Sequence, residues 1–260
     1  MNGNLLTAIA TTILAFVGFV QVFVLVSQKK QTRIALVEQY RQLWSKLKYD
    51  WGILILIGRK NGEYYQILNE ASIKSINEKI KEQRQDIPTV WALESIRSVC
   101  GMISEVSIRL LQGHLKISDV YPIFGTEFLR QSRPLRQLLE PEYISPYYTD
   151  EVSTKHDYVR NEMQNWLTYH DGTRRRCLIF IDLLWAEAAR LEDLPPCDIK
   201  SAADAKKVTG KLNRKRVFNE TIKLNGIKRI LLACHLKKFL RRAEYKSFIN
   251  RKGINKNKLS

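Results

Sequence analysis

Two histidine-aspartate pairs, His156-Asp157 and His170-Asp171, are the residues of this 260-residue sequence best suited to chemistry. Neutral imidazole and carboxylate both ligate divalent metals, and a metal-dependent phosphohydrolase uses such side chains to hold an ion that activates water. The pairs lie fourteen positions apart, about four helical turns, so one continuous helix would project them similarly. The whole chain has only four histidines, and no carboxylate-rich motif accompanies the pairs. His170-Asp171-Gly172 also reads, more simply, as a helix end followed by a turn.

Other chemistry is not encoded in recognisable form. The sequence contains no G-x-x-x-x-G-K-[ST] loop, G-x-G-x-x-G turn, H-E-x-x-H helix or G-x-S-x-G elbow, and without phosphate-cradling glycines a nucleotide-driven enzyme is not expected. Cys100, Cys177, Cys197 and Cys234 are each at least twenty positions from the next, which removes the C-x-x-C pairing of a zinc site and favours buried thiols. No catalytic, cofactor or metal residue is therefore assigned. The reading is a protein without enzymatic activity of its own, with the His-Asp hydrolase kept as a third possibility.

The elements that carry these residues begin with an apolar one. No charged side chain occurs from Met1 to Gln28, and 5–26 reads LLTAIATTILAFVGFVQVFVLV. Such a helix is about 33 Å long and crosses a hydrocarbon core of about 30 Å. A cleaved leader would need a positive start, a shorter apolar run and a small-residue cleavage site, none of which is present. Lys29, Lys30, Arg33, Arg41, Lys46 and Lys48 follow the apolar run and no cation precedes it, so the positive-inside rule puts the N-terminus outside and the rest in the cytoplasm. In that reducing compartment an even cysteine count does not imply disulfides. Thr7, Thr11, Ala15 and Gly18 fall on one face at steps of four, four and three, where small side chains permit close helix approach and self-association.

Beyond the span the helix is expected to continue, since neither Gly nor Pro occurs between Gly18 and Gly52. Val37, Tyr40, Trp44, Leu47, Trp51 and Leu54 form a heptad-like seam whose aromatic bulk suits packing in a bundle. The run 52–57 is too short to be a second span and reads as the buried end of this helix, stopped by Gly58 and Asn61-Gly62. Further helices are expected at 69–84, at 88–112 with Gly113 as the residue after its end, and at 149–169 and 173–192, with Ser118 as an N-cap. Glu140-Pro141 through Pro146, and Pro195-Pro196, mark boundaries. These divide the chain into an anchor (1–28), a helical region (29–140), a second helical region (141–200) and a basic helical C-terminal tail (201–260).

The stretch Gly113-His-Leu-Lys-Ile-Ser-Asp-Val-Tyr-Pro-Ile-Phe-Gly125, between the 88–112 helix and the apolar 128–139 segment, resembles a pattern in uncharacterised bacterial proteins. Those proteins carry one N-terminal span and a cytoplasmic helical domain. The resemblance covers about a fifth of the chain. It implies that fold type and a bacterial origin, and transfers no functional residue; with the helical periodicity above, the expected fold is all-α, a single transmembrane helix continuing into a cytoplasmic helical bundle at a bacterial inner membrane.

The charge is concentrated at the far end. Residues 201–260 hold eighteen Lys or Arg against Asp204, Glu220 and Glu244, a net +15 of the chain's +17. Charge of one sign at this density concerns partners, not fold. Within it, 220–242 carries enough Ile, Leu and Phe to form a basic helix with a wide apolar surface, suited to a membrane interface or a partner groove, or else to a core helix with solvated cations. Lys29, Lys30 and Arg33 next to the span, and Lys228, Arg229, Lys237, Lys238, Arg241 and Arg242 in the tail, are the candidates for contact with anionic lipid or an acidic partner. Nucleic acid is the alternative partner, giving a membrane-tethered nucleic-acid-binding protein as the second reading. The expected role is a membrane-anchored interaction or effector module.

Overall fold

The computed structural model describes residues 3–59, 63, 65, 68–82, 90–140, 156–191 and 193–245. Among them it contains nine α-helices and no strand. The chain divides into two compact units, Met1–Gln42 and Leu43–Ser260. The boundaries expected near 140 and 200 thus fall inside one unit.

The first unit belongs to helix α1, Gly3–Lys46. Its stretch Ala10–Lys46 is, among the described residues, the one helix long and apolar enough to cross a membrane, with a mean hydropathy of 2.2 over its most apolar window and none of that window buried. Large side chains stand uncovered along it, including Phe16 at 68%, Phe19 at 72% and Phe23 at 70% exposure.

In the second unit, α1 does not run on to Gly58 as its composition suggested. It stops at Lys46; Leu47 (φ −89°, ψ 7°) interrupts the helix, and α2 spans Lys48–Gly58. No glycine or proline signals this break, because Leu47 still donates its N–H to Leu43 and Trp44 carbonyls at 3.2 Å and loses only helical regularity. Every residue of α2 from Trp51 to Gly58 is buried, as expected for a helix apolar on all sides. Its walls are α4 (Val90–Leu111), α5 (Ile117–Leu139) and α6 (Asp157–Tyr169). Trp44, Trp51 and Leu54 of the predicted seam are buried and Leu47 is half-buried. Around them Trp44, Trp51, Phe124, Phe128 and Phe180 make an aromatic cluster with ring centroids from 4.8 Å to 5.9 Å apart, mostly edge to face. Trp51 donates its indole N–H to Gln131 Oε1 at 2.7 Å, so the buried ring leaves no polar atom unsatisfied.

Helix α3, Glu70–Glu82, buries Ile76 and Ile80. Helix α4 ends at the predicted glycine: Gly113 adopts φ +73°, and the following N–H groups of His114 and Leu115 bond the Arg109 carbonyl. Ser118 does not cap α5. Lys116 occupies that position, donating its N–H to the Asp119 carboxylate at 3.1 Å, while Ser118 lies within the first turn. Helix α5 also starts eleven residues before the apolar 128–139 segment and bends at Gly125 (φ +62°), with Pro122 and Pro134 inside it.

Helix α7, Asp171–Leu191, is the hub, in contact with α4, α5 and α6 and with two C-terminal helices, α8 (Pro196–Asn225) and α9 (Ile230–Tyr245). Its residues Cys177–Leu184 are all buried. Pro196 opens α8 in the first turn, where a missing N–H costs nothing. The basic helix expected over 220–242 is two helices: α8 stops at Asn225, Gly226 adopts φ +67°, and a single 3-10 turn at Ile227–Arg229 leads into α9. The chain reverses there because the Gly226 N–H closes on the Ile222 carbonyl at 2.7 Å in a left-handed conformation that glycine tolerates best. Within the expected tail, Asn213, Val217, Glu220 and Thr221 are buried in the second unit, and 246–260 lie outside the described residues. The expectations at Asn61-Gly62, Arg84, Pro88 and 141–155 lie outside the described residues.

Candidate functional site

The two His-Asp pairs sit at opposite ends of α6, about 20 Å apart along its axis. His156 precedes the helix and is buried, its Nε2 3.3 Å from Asn77 Oδ1 of α3. His170 follows it, exposed, its ring stacked on Trp166 at 4.2 Å with Nδ1 2.9 Å from the Trp166 carbonyl oxygen. Each aspartate is engaged by arginines of its own helix. Asp157 accepts from Arg160 at 2.6 Å, and Asp171 accepts from Arg174 at 2.8 Å and pairs with Arg175. The structure therefore does not bring the pairs together, and it gives both carboxylates salt-bridge roles.

Arg160 was not singled out by sequence. Its guanidinium is buried and donates Nε and Nη2 to the Ile57 carbonyl at 3.2 Å and 3.0 Å, satisfying one of the last carbonyls of buried α2. Burial pulls its pKa down, and Asp157, half-exposed beside it, opposes that shift. A similar clamp joins α5, α7 and α8. Arg136 bonds buried Asp182 at 3.1 Å and Glu140 at 3.3 Å, and Arg216 of α8 bonds Glu140 at 2.7 Å. Glu220 of α8, also buried, accepts from Arg175 and Arg176 of α7 at 3.2 Å and 3.3 Å, and Arg176 also donates to Ser104 of α4 at 2.7 Å. These acids tie helices together.

The cations singled out in the sequence are mostly exposed. Lys29 and Lys30 are exposed on α1 and Arg33 is partly so. Lys228 and Arg229 are exposed at the α8–α9 reversal, and Lys238 and Arg241 are exposed about two and three turns further along α9. Lys237 is exposed too and reaches back over the Phe218 ring of α8, 5.4 Å from its centroid. Arg242 lies in α9, with its side chain outside the description. On the opposite end of the chain, Thr11 bonds the Thr7 carbonyl at 2.8 Å, and a methyl added at Gly18 would meet nothing within 4 Å. Ala15 is exposed between them.

The sequence reading counted Ile227, Ile230 and Leu231 in the wide apolar surface of one helix and missed the reversal that sets them apart. Ile227, Ile230 and Leu231 are 79%, 44% and 83% exposed, among cations. Asn225-Gly226, a turn dipeptide, was the signal that could have revealed it. The four cysteines are free thiols: Cys100 and Cys177 buried, Cys197 and Cys234 exposed. Cys177 donates to the Cys100 carbonyl at 3.4 Å, and burial holds its thiol well above the ordinary range, with its neighbour Cys100 adding to the shift. Comparison with family models, curated proteins and solved structures returns no match for this chain.

Proposed function

We propose that this chain is a single-pass protein of a cell inner membrane, N-terminus outside. Its helical unit then serves at the cytoplasmic face as an interaction or effector module without catalysis of its own. The observation that carries this reading is the uncovered apolar surface of α1. Large side chains from Ile13 to Val26 lie exposed along the helix, and surface of that kind is stable only where lipid or a partner replaces water. Orientation rests on Lys29, Lys30 and Arg33, which favour the cytoplasmic side. The face of Thr7, Thr11, Ala15 and Gly18 supports self-association in the bilayer, because Thr11 directs its hydroxyl to its own helix and leaves a small, close-packing surface. The salt-bridged Asp157 and Asp171 favour this reading over hydrolysis.

The test is extraction and labelling in cells. The chain should stay with membranes in alkaline carbonate, and a cysteine at Asn2 should react with an impermeant maleimide in intact cells, whereas native Cys197 and Cys234 react only after permeabilisation. Release by carbonate would remove the anchor; labelling of Cys234 without permeabilisation would invert the orientation.

A further inference from the structure

The α8–α9 reversal is built as a rigid projection. Asn225 donates its side-chain amide to the Leu111 carbonyl at 3.0 Å, which ties the end of α8 to the end of α4, and to Thr221 at 2.8 Å. Leu232 packs toward Gly113 on the α4–α5 turn, where an added Cβ would lie 3.3 Å from its Cδ2. Between these two fixed points the 3-10 turn Ile227–Arg229 and the first turn of α9 present Ile227 and Leu231 largely to solvent, with Ile230 partly exposed. Buried Ala233 and Leu240 show that α9 turns a different face to the bundle. Three branched aliphatic side chains are thus held outward by a scaffold that does not need them for its own core.

Their surroundings specify the occupant. From 221 to 243 the chain carries Lys223, Lys228, Arg229, Lys237, Lys238, Arg241 and Arg242 and no acidic residue. Lys116 on the adjoining α4–α5 turn is exposed as well. Aliphatic tips flanked by Lys228 and Arg229 match the boundary between acyl chains and anionic headgroups, where the apolar groups enter and the long basic side chains stay at phosphate level. Single-stranded nucleic acid would call for exposed aromatic faces, and the exposed residues here are aliphatic. A protein partner would need about 800 Å² on each side for a stable contact, more than three side chains present. A bilayer surface needs less, since the anchor already confines the chain to it.

We propose that Ile227, Ile230 and Leu231 form a wedge that inserts into an anionic lipid leaflet, with Lys228 and Arg229 seated among the headgroups. This rests on the membrane-anchored reading above. The experiment places an environment-sensitive fluorophore at Leu231→Cys in the full chain, with Cys197 and Cys234 changed to serine. The protein is reconstituted into nanodiscs of phosphatidylcholine alone or mixed with phosphatidylglycerol, with or without spin-labelled acyl chains. With phosphatidylglycerol, the probe should shift to the blue and be quenched by the spin label. A probe at exposed Asn161→Cys should do neither, and Lys228→Glu with Arg229→Glu should abolish both effects. Incorporation of the chain with a Leu231 probe that stays water-exposed overturns the wedge alone, as does a blue shift without quenching, which would mean protein contact. Equal insertion into neutral discs overturns the anionic requirement. Failure of the chain to enter discs overturns the anchor, and the wedge with it.

Discussion

Replacing Gly58 by alanine puts a methyl group where another helix already lies. An ideal Cβ there falls 2.5 Å from the Pro134 carbonyl oxygen, 2.9 Å from its carbon and 3.1 Å from Leu138 Cγ, whereas ordinary contact begins near 3.4 Å. Two of the three atoms are backbone, so no rotamer change relieves the overlap, and α2 and α5 must part by about 1 Å. Overpacking of this kind costs about 1–3 kcal/mol, and the same shift draws the Ile57 carbonyl away from Arg160. Alanine's better helix propensity returns at most about 1 kcal/mol. Gly101 is the internal comparison: it lies inside α4, exposed, with nothing within 4 Å of an added Cβ. Gly101→Ala should therefore gain about 1 kcal/mol, so the two variants should move in opposite directions. All five tryptophans, at 44, 51, 91, 166 and 185, lie in the second unit. Urea unfolding of the detergent-solubilised full chain, followed by tryptophan emission, thus reports on that unit. If Gly58→Ala unfolds at or above the parent's midpoint while Gly101→Ala gains as expected, the close approach of α2 to α5 is refuted.

Three further outcomes are expected. Trp44→Ala and Trp51→Ala should each lower stability by about 3–5 kcal/mol, measured by the same unfolding; parent-like midpoints for both would mean the rings are not core. Arg160→Met should cost about 1–3 kcal/mol by leaving the Ile57 carbonyl buried without donors, and Arg160→Lys should recover only part of it; a neutral Met variant would show that the carbonyl finds another donor. In native protein an alkylating reagent should modify Cys197 and Cys234 but reach Cys100 and Cys177 only on unfolding. Because burial raises the Cys177 thiol, the folded chain keeps a proton that the unfolded chain releases, so stability falls as pH rises through the ordinary thiol range and is unaffected below it. That fall should be smaller in Cys177→Ala, and an equal fall would assign it to other groups.

Much of the second unit was written in its periodicity. Apolar faces at helical spacing located α4 and α7, and Gly113 marked a helix end because only a left-handed residue closes the Arg109 carbonyl bonds found there. Less legible were features that depend on partners distant in sequence. Leu47 carries no breaker signal, and Trp44 and Trp51 on either side of it pack on rings more than seventy positions away. Ser118 was expected to cap the next helix, yet the cap falls at Lys116, and the kink at Gly125 lies between Phe124 and Phe128, which both pack on Phe180. The cations were legible as a charge excess, but not which would be exposed. That depends on Glu220, a lone acid in a basic stretch, which turns one side of α8 toward Arg175 and Arg176.

The burial of α2 also has a consequence in time. All three of its walls follow it in the sequence, the last ending at Tyr169. At about 5–20 residues per second, a ribosome takes on the order of 5–20 s to travel from Gly58 to that point. Through that interval WGILILIG, the most apolar segment of the second unit's helices, has only part of its cover, gaining α4 and then α5 before α6 completes it, close behind a segment suited to a bilayer. The nascent chain is thus most exposed to misinsertion and aggregation early in synthesis, and a message truncated before α6 yields a product whose central helix has no complete shelter.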